Sequence, residues 1–189
     1  SRVSRGLGDV YKRQGEDVTQ NVKTIKSIPM FIKDKHLPSK FTLKGEVFID
    51  KKDFEIINKE LNNKEDKRYS NPRNLAAGSI RQLDPLIASN RNLKLFIHGI
   101  SDYEKFRHIN KHDILIEYLK DLGFPINKYY KVLKDFDEAI HYFNEMKKTR
   151  NSIPYEIDGL VYRINNLTDY KTLGSTSKAP KWAIAYKFK

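Results

Sequence analysis

The sequence predicts an α+β fold in which antiparallel sheets are surrounded by helices. Alternating apolar residues between Phe41 and Ile49 and an apolar run over residues 93–100 indicate two strands. Apolar residues at helical spacing, for example from Ile114 to Leu122, indicate amphipathic helices. Because strands and helices are mixed without regular βαβ spacing, antiparallel sheets are favoured over a doubly wound parallel sheet.

Local signals predict the remaining elements in order. Gly123 and Pro125 are stop signals for the helix that begins near Ile114, and Asp135 with Glu138 forms the pattern of a capping box. The capped helix is predicted to bury its apolar stripe: Phe136, Ala139, Ile140, Phe143 and Met146. Strands are predicted over residues 157–164 and 182–188. The last strand is predicted to have a core face made of Trp182, Ile184, Tyr186 and Phe188.

The composition indicates a soluble globular protein with a polyanionic partner. The 189 residues are 39% hydrophobic and 32% charged, and 36 basic minus 24 acidic residues give a net charge of +12. This excess favours nucleic acid first and an anionic membrane second, and a solvated lysine-rich surface is the simpler alternative. Cysteine is absent, the histidines show no metal-ligand spacing, and neither a membrane span nor a secretory segment is visible. A cytoplasmic location fits best.

The two ends differ from the region between them. Residues 1–14 contain four basic residues and no apolar period, so this segment is interpreted as non-native sequence, with a short natural basic tail as the alternative. Residues 15–189 are interpreted as one domain fragment that stops inside a strand pattern.

Two segments carry side chains suited to binding a nucleotide or a phosphate backbone. Glu46 lies on the face of its strand opposite Val47, where a carboxylate could accept hydrogen bonds from ribose hydroxyls, or it is a solvent-exposed glutamate. In NPRNLAAGSIRQLD, Arg73 and Arg81 flank small residues, so a phosphate backbone could approach closely. The alternative for this segment is a capped helix start with ordinary surface arginines.

Two later segments suggest phosphoryl chemistry. In EIDGLVYRI, Asp158 and Arg163 fall on opposite faces of a regular strand, and a bend at Gly159 could bring them to one site. The simpler alternative is a salt bridge at the strand edge. In APKWAIAYKF, two alanines lie between Lys181 and Lys187 on one strand face, leaving a flat gap for a flat ligand whose phosphate a lysine could reach.

Taken together, these segments resemble the adenylation domain of bacterial NAD-dependent DNA ligases. NPRNLAAGSIRQLDP is highly specific, and GEVF, EIDGLV and APKWAIAYKF follow the family's order and spacing over about 175 residues from Gly15. The resemblance implies an ATP-grasp-like nucleotidyltransferase fold that ends near the start of an OB-fold.

The same resemblance implies a three-step reaction. A lysine attacks the α-phosphate of NAD, the adenylate passes to the 5′-phosphate at a nick, and the 3′-hydroxyl displaces AMP. It implies NAD and Mg²⁺, with Mn²⁺ as an alternative ion, and zinc only in a downstream region outside the chain. Nicked double-stranded DNA is the implied partner of a monomeric enzyme.

Position by position, the resemblance assigns catalytic roles to Asp158 and Lys187, with Asp158 also at the metal. The residues assigned to cofactor binding are Glu46, Arg163 and Lys187, and those assigned to DNA binding or pocket support are Arg73, Arg81 and Arg150. Glu46 and Lys187 are predicted to share a cleft that holds AMP from sugar to phosphate.

The chain departs from the family at three points. The nucleophile motif Lys-x-Asp-Gly is absent and is expected upstream of Gly15, so the fragment itself is expected to be inactive. Asp9 occupies the position of the family's adenylate-binding arginine, and Arg163 that of a lysine.

Two alternatives stay open. One is an ATP-dependent polynucleotide ligase or a capping-type nucleotidyltransferase, because the choice of NAD rests on NPRNLAAGSIRQLD alone. The other is a noncatalytic DNA-binding module, which would bind DNA regardless of nicks.

Overall fold

The computed structural model describes residues 15–63, 68–177 and 179–189. The interpretation of residues 1–14 as non-native, and the comparison made at Asp9, lie outside the described residues. The described helices are α1 (Thr19–Val22), α2 (Lys51–Asn63), α3 (Pro72–Ile80), α4 (Pro85–Asn90), α5 (His112–Asp121), α6 (Phe136–Thr149) and α7 (Asp169–Leu173). The strands are β1 (Leu43–Phe48), β2 (Lys94–Ile100), β3 (Gly159–Arg163) and β4 (Ala183–Lys187), and 3₁₀ turns occupy Tyr103–Lys105 and Arg150–Ser152.

The strands form two antiparallel pairs, β1 with β2 and β3 with β4. In the first pair Glu46 lies opposite Phe96, and the register shifts between Lys44 and Gly45, where β2 carries one extra residue, His98. The second pair is regular from Gly159 to Arg163. The prediction of mixed helices with antiparallel sheets is confirmed, and the ATP-grasp-like relationship stays a prediction.

Apolar clusters hold these elements together. One surrounds Phe106, Leu115 and Leu119 beneath β2 and α5. The cluster that matters for the site is built on Met146, Ile153 and Tyr155. Apolar side chains from both sheets pack against it. Phe48 and Phe96 come from the first sheet, Leu160 comes from β3 of the second, and Phe188 directly follows β4. Burial of these side chains therefore ties the two sheets together.

Helix ends follow the sequence signals closely. The side chain of Asn71 accepts a hydrogen bond from the Asn74 N–H at 2.8 Å and caps α3. Asp135 caps α6 in the same way through the Glu138 N–H at 2.8 Å. The Glu138 carboxylate accepts from the Lys134 N–H rather than from the cap residue's own N–H, so the capping box is only half formed.

Part of the predicted burial is wrong. The exposed fractions are 77% for Phe136, 46% for Ile140, 65% for Ile184 and 56% for Tyr186. The reason is that α6 covers the β3–β4 pair only in part: the Tyr162 hydroxyl donates to the Ala139 carbonyl, and Phe143 contacts Tyr186. A two-stranded sheet and one helix leave their outer sides uncovered within the described residues.

Candidate functional site

Glu46 extends from β1 into solvent and meets Arg73. The Arg73 guanidinium lies 4.0 Å from the Glu46 carboxylate, and the two side chains are 76% and 69% exposed. Arg73 reaches this position because α3, capped by Asn71, packs against β1. Exposed pairs of this kind contribute only about 0–1 kcal/mol to stability. A ligand can therefore displace either side chain from the pair at little cost.

Lys187 and Asp158 form a second exposed pair. The antiparallel register places Gly159 opposite Lys187, and the Lys187 ammonium lies 3.1 Å from the Asp158 carboxylate. The Phe188 N–H donates to the Asp158 carbonyl at 2.8 Å, which fixes the two chain ends together. Gly159 permits the close approach, since a Cβ there would lie 2.3 Å from the Tyr186 carbonyl oxygen.

Arg150 lies near the same end of the sheet. Its guanidinium carbon is 5.6 Å from the centroid of the Phe188 ring, the neighbour of Lys187. The turn that carries Arg150 is held by the Lys51 ammonium, which donates to three backbone carbonyls. These belong to Arg150 at 3.3 Å, Asn151 at 3.2 Å and Ile153 at 2.8 Å. Arg150 therefore contacts the ring of Phe188, whereas Asp158 and Lys187 contact each other directly.

Arg163 marks the opposite end of β3. Because directly opposed residues share a face, Gly159, Val161 and Arg163 lie on the same side as Ala183, Ala185 and Lys187. Val161 is 62% exposed, so the small side chains between the two cations form an open, flat floor. The gap predicted between the lysines is therefore present, with Arg163 rather than Lys181 across the floor from Lys187.

The expectation that a bend at Gly159 could unite Asp158 with Arg163 is wrong. β3 is paired without irregularity, and four residue steps of an extended strand separate its ends by about 13 Å. Asp158 pairs with Lys187 instead.

Arg163 is surrounded by neutral groups. Its Nη1 donates to the His98 carbonyl at 3.1 Å and lies 3.2 Å from His112 Nε2. Its guanidinium carbon is 5.6 Å from the Trp182 ring centroid, and Trp182 stacks on Tyr170 with centroids 3.9 Å apart. Burial lowers the pKa of Arg163, although the Tyr170 hydroxyl favours the charged form. Among the described residues no carboxylate forms an ion pair with it.

Sequence reasoning missed both histidines at this position. Burial, followed by the charges of Arg163 and His98, lowers the pKa of His112 to about 3. Burial and Arg163 also lower the pKa of His98, while the Glu46 charge acts in the opposite direction. The charges of Glu46 and Arg163 therefore both influence the pKa of His98. The histidines were judged only by metal-ligand spacing, and no local sequence pattern indicated their contacts with Arg163.

The other predicted residues are less closely joined. Arg81 follows the last residue of α3, and its Nε donates to the carbonyl of Ala77 at 2.9 Å. It shares none of the described contacts with the other six predicted residues. Glu46 contacts Arg73 and Lys187 contacts Asp158, so a joint grip of Glu46 and Lys187 on one AMP stays a prediction.

The arrangement sets a limit on metal binding. No group of three or more histidine, cysteine, aspartate or glutamate side chains in the described part of the chain could hold an ion. Asp158 offers a single exposed carboxylate. That fits Mg²⁺, which commonly binds through one or two carboxylates together with substrate phosphates.

A cavity of about 530 Å³ lies away from these residues. It is bordered by the rings of Phe48, Phe96 and Tyr155 and by the Lys94–Asp50 ion pair, and none of the seven predicted site residues lines it. Its floor is the apolar cluster that joins the sheets. The position of the charged and polar side chains, rather than cavity size, identifies the candidate site.

Comparison with known proteins supplies an independent finding. Residues 2–189 match the sequence profile of the NAD-dependent DNA ligase adenylation domain. The DNA ligase of Acetivibrio thermocellus is 46% identical over 186 residues, which cover 98% of this chain and 27% of that protein. The DNA ligase of Clostridioides difficile is 42% identical over 186 residues, covering 98% of this chain and 26% of that protein. The chain spans about a quarter of the length of these relatives. Within the described residues, no helix is long and apolar enough to cross a membrane.

Proposed function

Because the chain belongs to the NAD-dependent DNA ligase adenylation domain family, we propose that it is the nucleotide-binding part of an NAD-dependent DNA ligase. Such an enzyme seals nicks between a 5′-phosphate and a 3′-hydroxyl through lysyl-AMP and DNA-adenylate intermediates. The observation that carries the proposal is the flat floor of the β3–β4 pair, which has Arg163 at one end and Lys187 at the other.

The floor suits the adenosine part of the donor. Val161, Ala183 and Ala185 leave room for a planar base, and one strand length of about 13 Å separates the backbone positions of the two cationic residues. Glu46 accepts hydrogen bonds from the ribose hydroxyls in this proposal. Its pairing with Arg73 is loose and exposed, so a ribose can take the place of the guanidinium.

The other end of the floor suits the phosphate. Negative charge builds on the phosphate oxygens when the α-phosphate is attacked, and preorganised cations stabilise that charge. Lys187 contacts the α-phosphate in this proposal, and Arg150, which packs against the ring of the next residue, Phe188, supports this end of the pocket. Asp158 pairs with Lys187 before the phosphate arrives, and this exposed pair can open when the phosphate binds. Mg²⁺, bound through Asp158 and substrate oxygens, would supply additional charge neutralisation there.

The DNA partner is proposed from charge and from the relatives' names. Arg73 and Arg81 are exposed at the two ends of α3, and the chain carries a net charge of +12. Guanidinium groups bind phosphates in a forked geometry, so these arginines suit the backbone of nicked double-stranded DNA. A monomeric, cytoplasmic enzyme completes the proposal.

The nucleophile of the first step is proposed to lie outside this sequence. No Lys-x-Asp-Gly segment occurs in the 189 residues. The chain therefore contributes binding and charge stabilisation, and the attacking lysine comes from a part of the enzyme that precedes Gly15.

A chimeric ligase tests the proposal directly. Residues 15–189 replace the aligned segment of the Clostridioides difficile relative, which is 42% identical over 186 residues. The chimera is expected to seal a nicked duplex with NAD and not with ATP. Gel assays with a labelled 5′-phosphate measure sealing and the accumulation of DNA-adenylate.

The outcomes separate the alternatives. A folded chimera that seals only with ATP would favour the polynucleotide-ligase alternative. A folded chimera that binds nicked and intact duplexes equally and seals neither with NAD nor with ATP would favour a noncatalytic DNA-binding module.

A further inference from the structure

The Arg163 guanidinium is held without a neutralising partner. Its described contacts are the His98 carbonyl, the His112 imidazole, the Tyr170 hydroxyl and the face of Trp182, all of them uncharged. Keeping a cation partly buried without a carboxylate is costly. The positive charge is therefore left to act on whatever binds to the floor beside it.

The contact with His112 fixes the state of the imidazole. Arginine can only donate, so the His112 Nε2, 3.2 Å from Arg163 Nη1, must accept and carry no proton. The low pKa of His112 agrees with this reading of the geometry. A neutral imidazole holds the guanidinium in position through a hydrogen bond and does not neutralise its charge.

His112 itself is placed rigidly. It is the first residue of α5, and its N–H donates to the Asn165 carbonyl at 2.7 Å. The following N–H, of Asp113, donates to the Asn165 side chain at 2.9 Å. These bonds tie the helix start to the segment that follows β3, so His112 and Arg163 keep a constant relative position.

The backbone of β2 closes the other side of the contact. A Cβ on Gly99 would lie 3.3 Å from Arg163 Nη1 and 3.6 Å from His112 Cε1. The guanidinium is therefore confined between a strand, a helix start and an aromatic ring.

From this geometry we infer that His112 is a positioning residue of the nucleotide site, which directs the unneutralised Arg163 guanidinium at the nucleotide by accepting one of its N–H groups. The inference rests on the proposed function of the floor as an adenylate site. A planar guanidinium fork needs a fixed acceptor to hold its orientation.

Titration of the full 189-residue chain with AMP, followed by NMR, tests the inference. His112→Leu removes the acceptor, and we expect the dissociation constant for AMP to rise about tenfold or more, since bonds to charged groups are the stronger kind. His112→Gln offers a side-chain oxygen in place of Nε2 and should restore binding to within about threefold of the unchanged chain. His141→Leu, on the exposed side of α6, is the matched control.

A double-mutant cycle separates positioning from general damage. In the Arg163→Met background the His112→Leu change should alter AMP binding by no more than about twofold, because the group through which it acts is gone. An undiminished penalty in that background would overturn the inference. So would equal AMP affinities of the leucine variant and the unchanged chain.

Two further experimental outcomes also bear on the role of His112. Should His112→Leu fail to fold, His112→Asn replaces it, because its polar side chain is too short to reach Nη1; unchanged affinity in that variant would refute the inference. If the unchanged chain shows no AMP binding at all, the proposed function fails. The inference is then judged by the side-chain NMR signals of Arg163, which must broaden when His112 is replaced.

Discussion

Lowering the pH is predicted to destabilise the fold through His112. Burial and the neighbouring charges of Arg163 and His98 lower the pKa of His112 from 6.5 to about 3, while Asp113 acts weakly in the other direction. In the unfolded chain the pKa returns to about 6.5. The unfolded state therefore binds more protons between these two pKa values, and stability is lost as the pH falls below the unfolded value.

The size of the effect follows from proton linkage. One proton bound only by the unfolded state changes the free energy of unfolding by about 1.4 kcal/mol per pH unit. From pH 7 to pH 5 the expected loss from His112 is about 2 kcal/mol, because half of the unfolded histidines are already protonated near pH 6.5. His98, whose pKa is also lowered, adds a loss of the same sign. Carboxylates with lowered pKa values, such as Asp34, contribute mainly at lower pH.

Urea denaturation at several pH values between 5 and 7 measures the loss. Trp182 is the single tryptophan and stacks on Tyr170, so its fluorescence reports unfolding of the region around Arg163. His112→Gln should remove about 2 kcal/mol of the pH dependence, whereas the exposed His141→Gln should leave it unchanged. If the His112→Gln variant keeps the full pH dependence, His112 is not buried and neutral as the geometry requires.

Three other predictions concern the phosphate end and the chain as a whole. In a full-length ligase that contains this chain, Lys187→Ala should lower self-adenylation far more than Lys181→Ala, measured by incorporation of labelled AMP; equal effects would contradict the assignment of Lys187. Gly159→Ala should destabilise the fold by about 2 kcal/mol or more, because its Cβ would lie 2.3 Å from the Tyr186 carbonyl oxygen. Gly15→Ala, with nothing within 4 Å, is the control, and a comparable melting temperature for both variants would argue against the close approach. Incubation of the 189-residue chain with NAD and Mg²⁺ should give no covalent adenylate by intact mass, and detection of the adduct would show that another lysine is the nucleophile.

Secondary structure was well predicted where local rules decide it. The strand pattern around Glu46, the cap at Asp135 and the stop at Gly123 all depend on residues within a few positions of one another. Gly123 has a φ of +88°, which glycine adopts at little cost. Burial was predicted less well, because an apolar stripe shows which face could be covered and not whether a partner lies over it.

For the candidate site, too, features set by near neighbours along the chain were predicted and contacts between distant elements were not. Alternation along β4 indicated that Lys187 shares a face with two alanines, and the register confirms it. The hypothesis that Asp158 meets Arg163 was wrong because it required a bend, and the regular ladder shows none. The groups that contact Glu46 and Arg163 come from other elements, too far along the chain for a spacing rule to predict.

The amino-acid sequence by itself determined the order of the motifs, the strand faces and the caps, since these depend on near neighbours along the chain. The tertiary structure decided which groups surround each charge. His98 and His112 are 65 and 51 positions from Arg163, and they meet it only because β2, α5 and β3 pack together. Packing, rather than local pattern, therefore sets the protonation of His112 and leaves the guanidinium of Arg163 unneutralised.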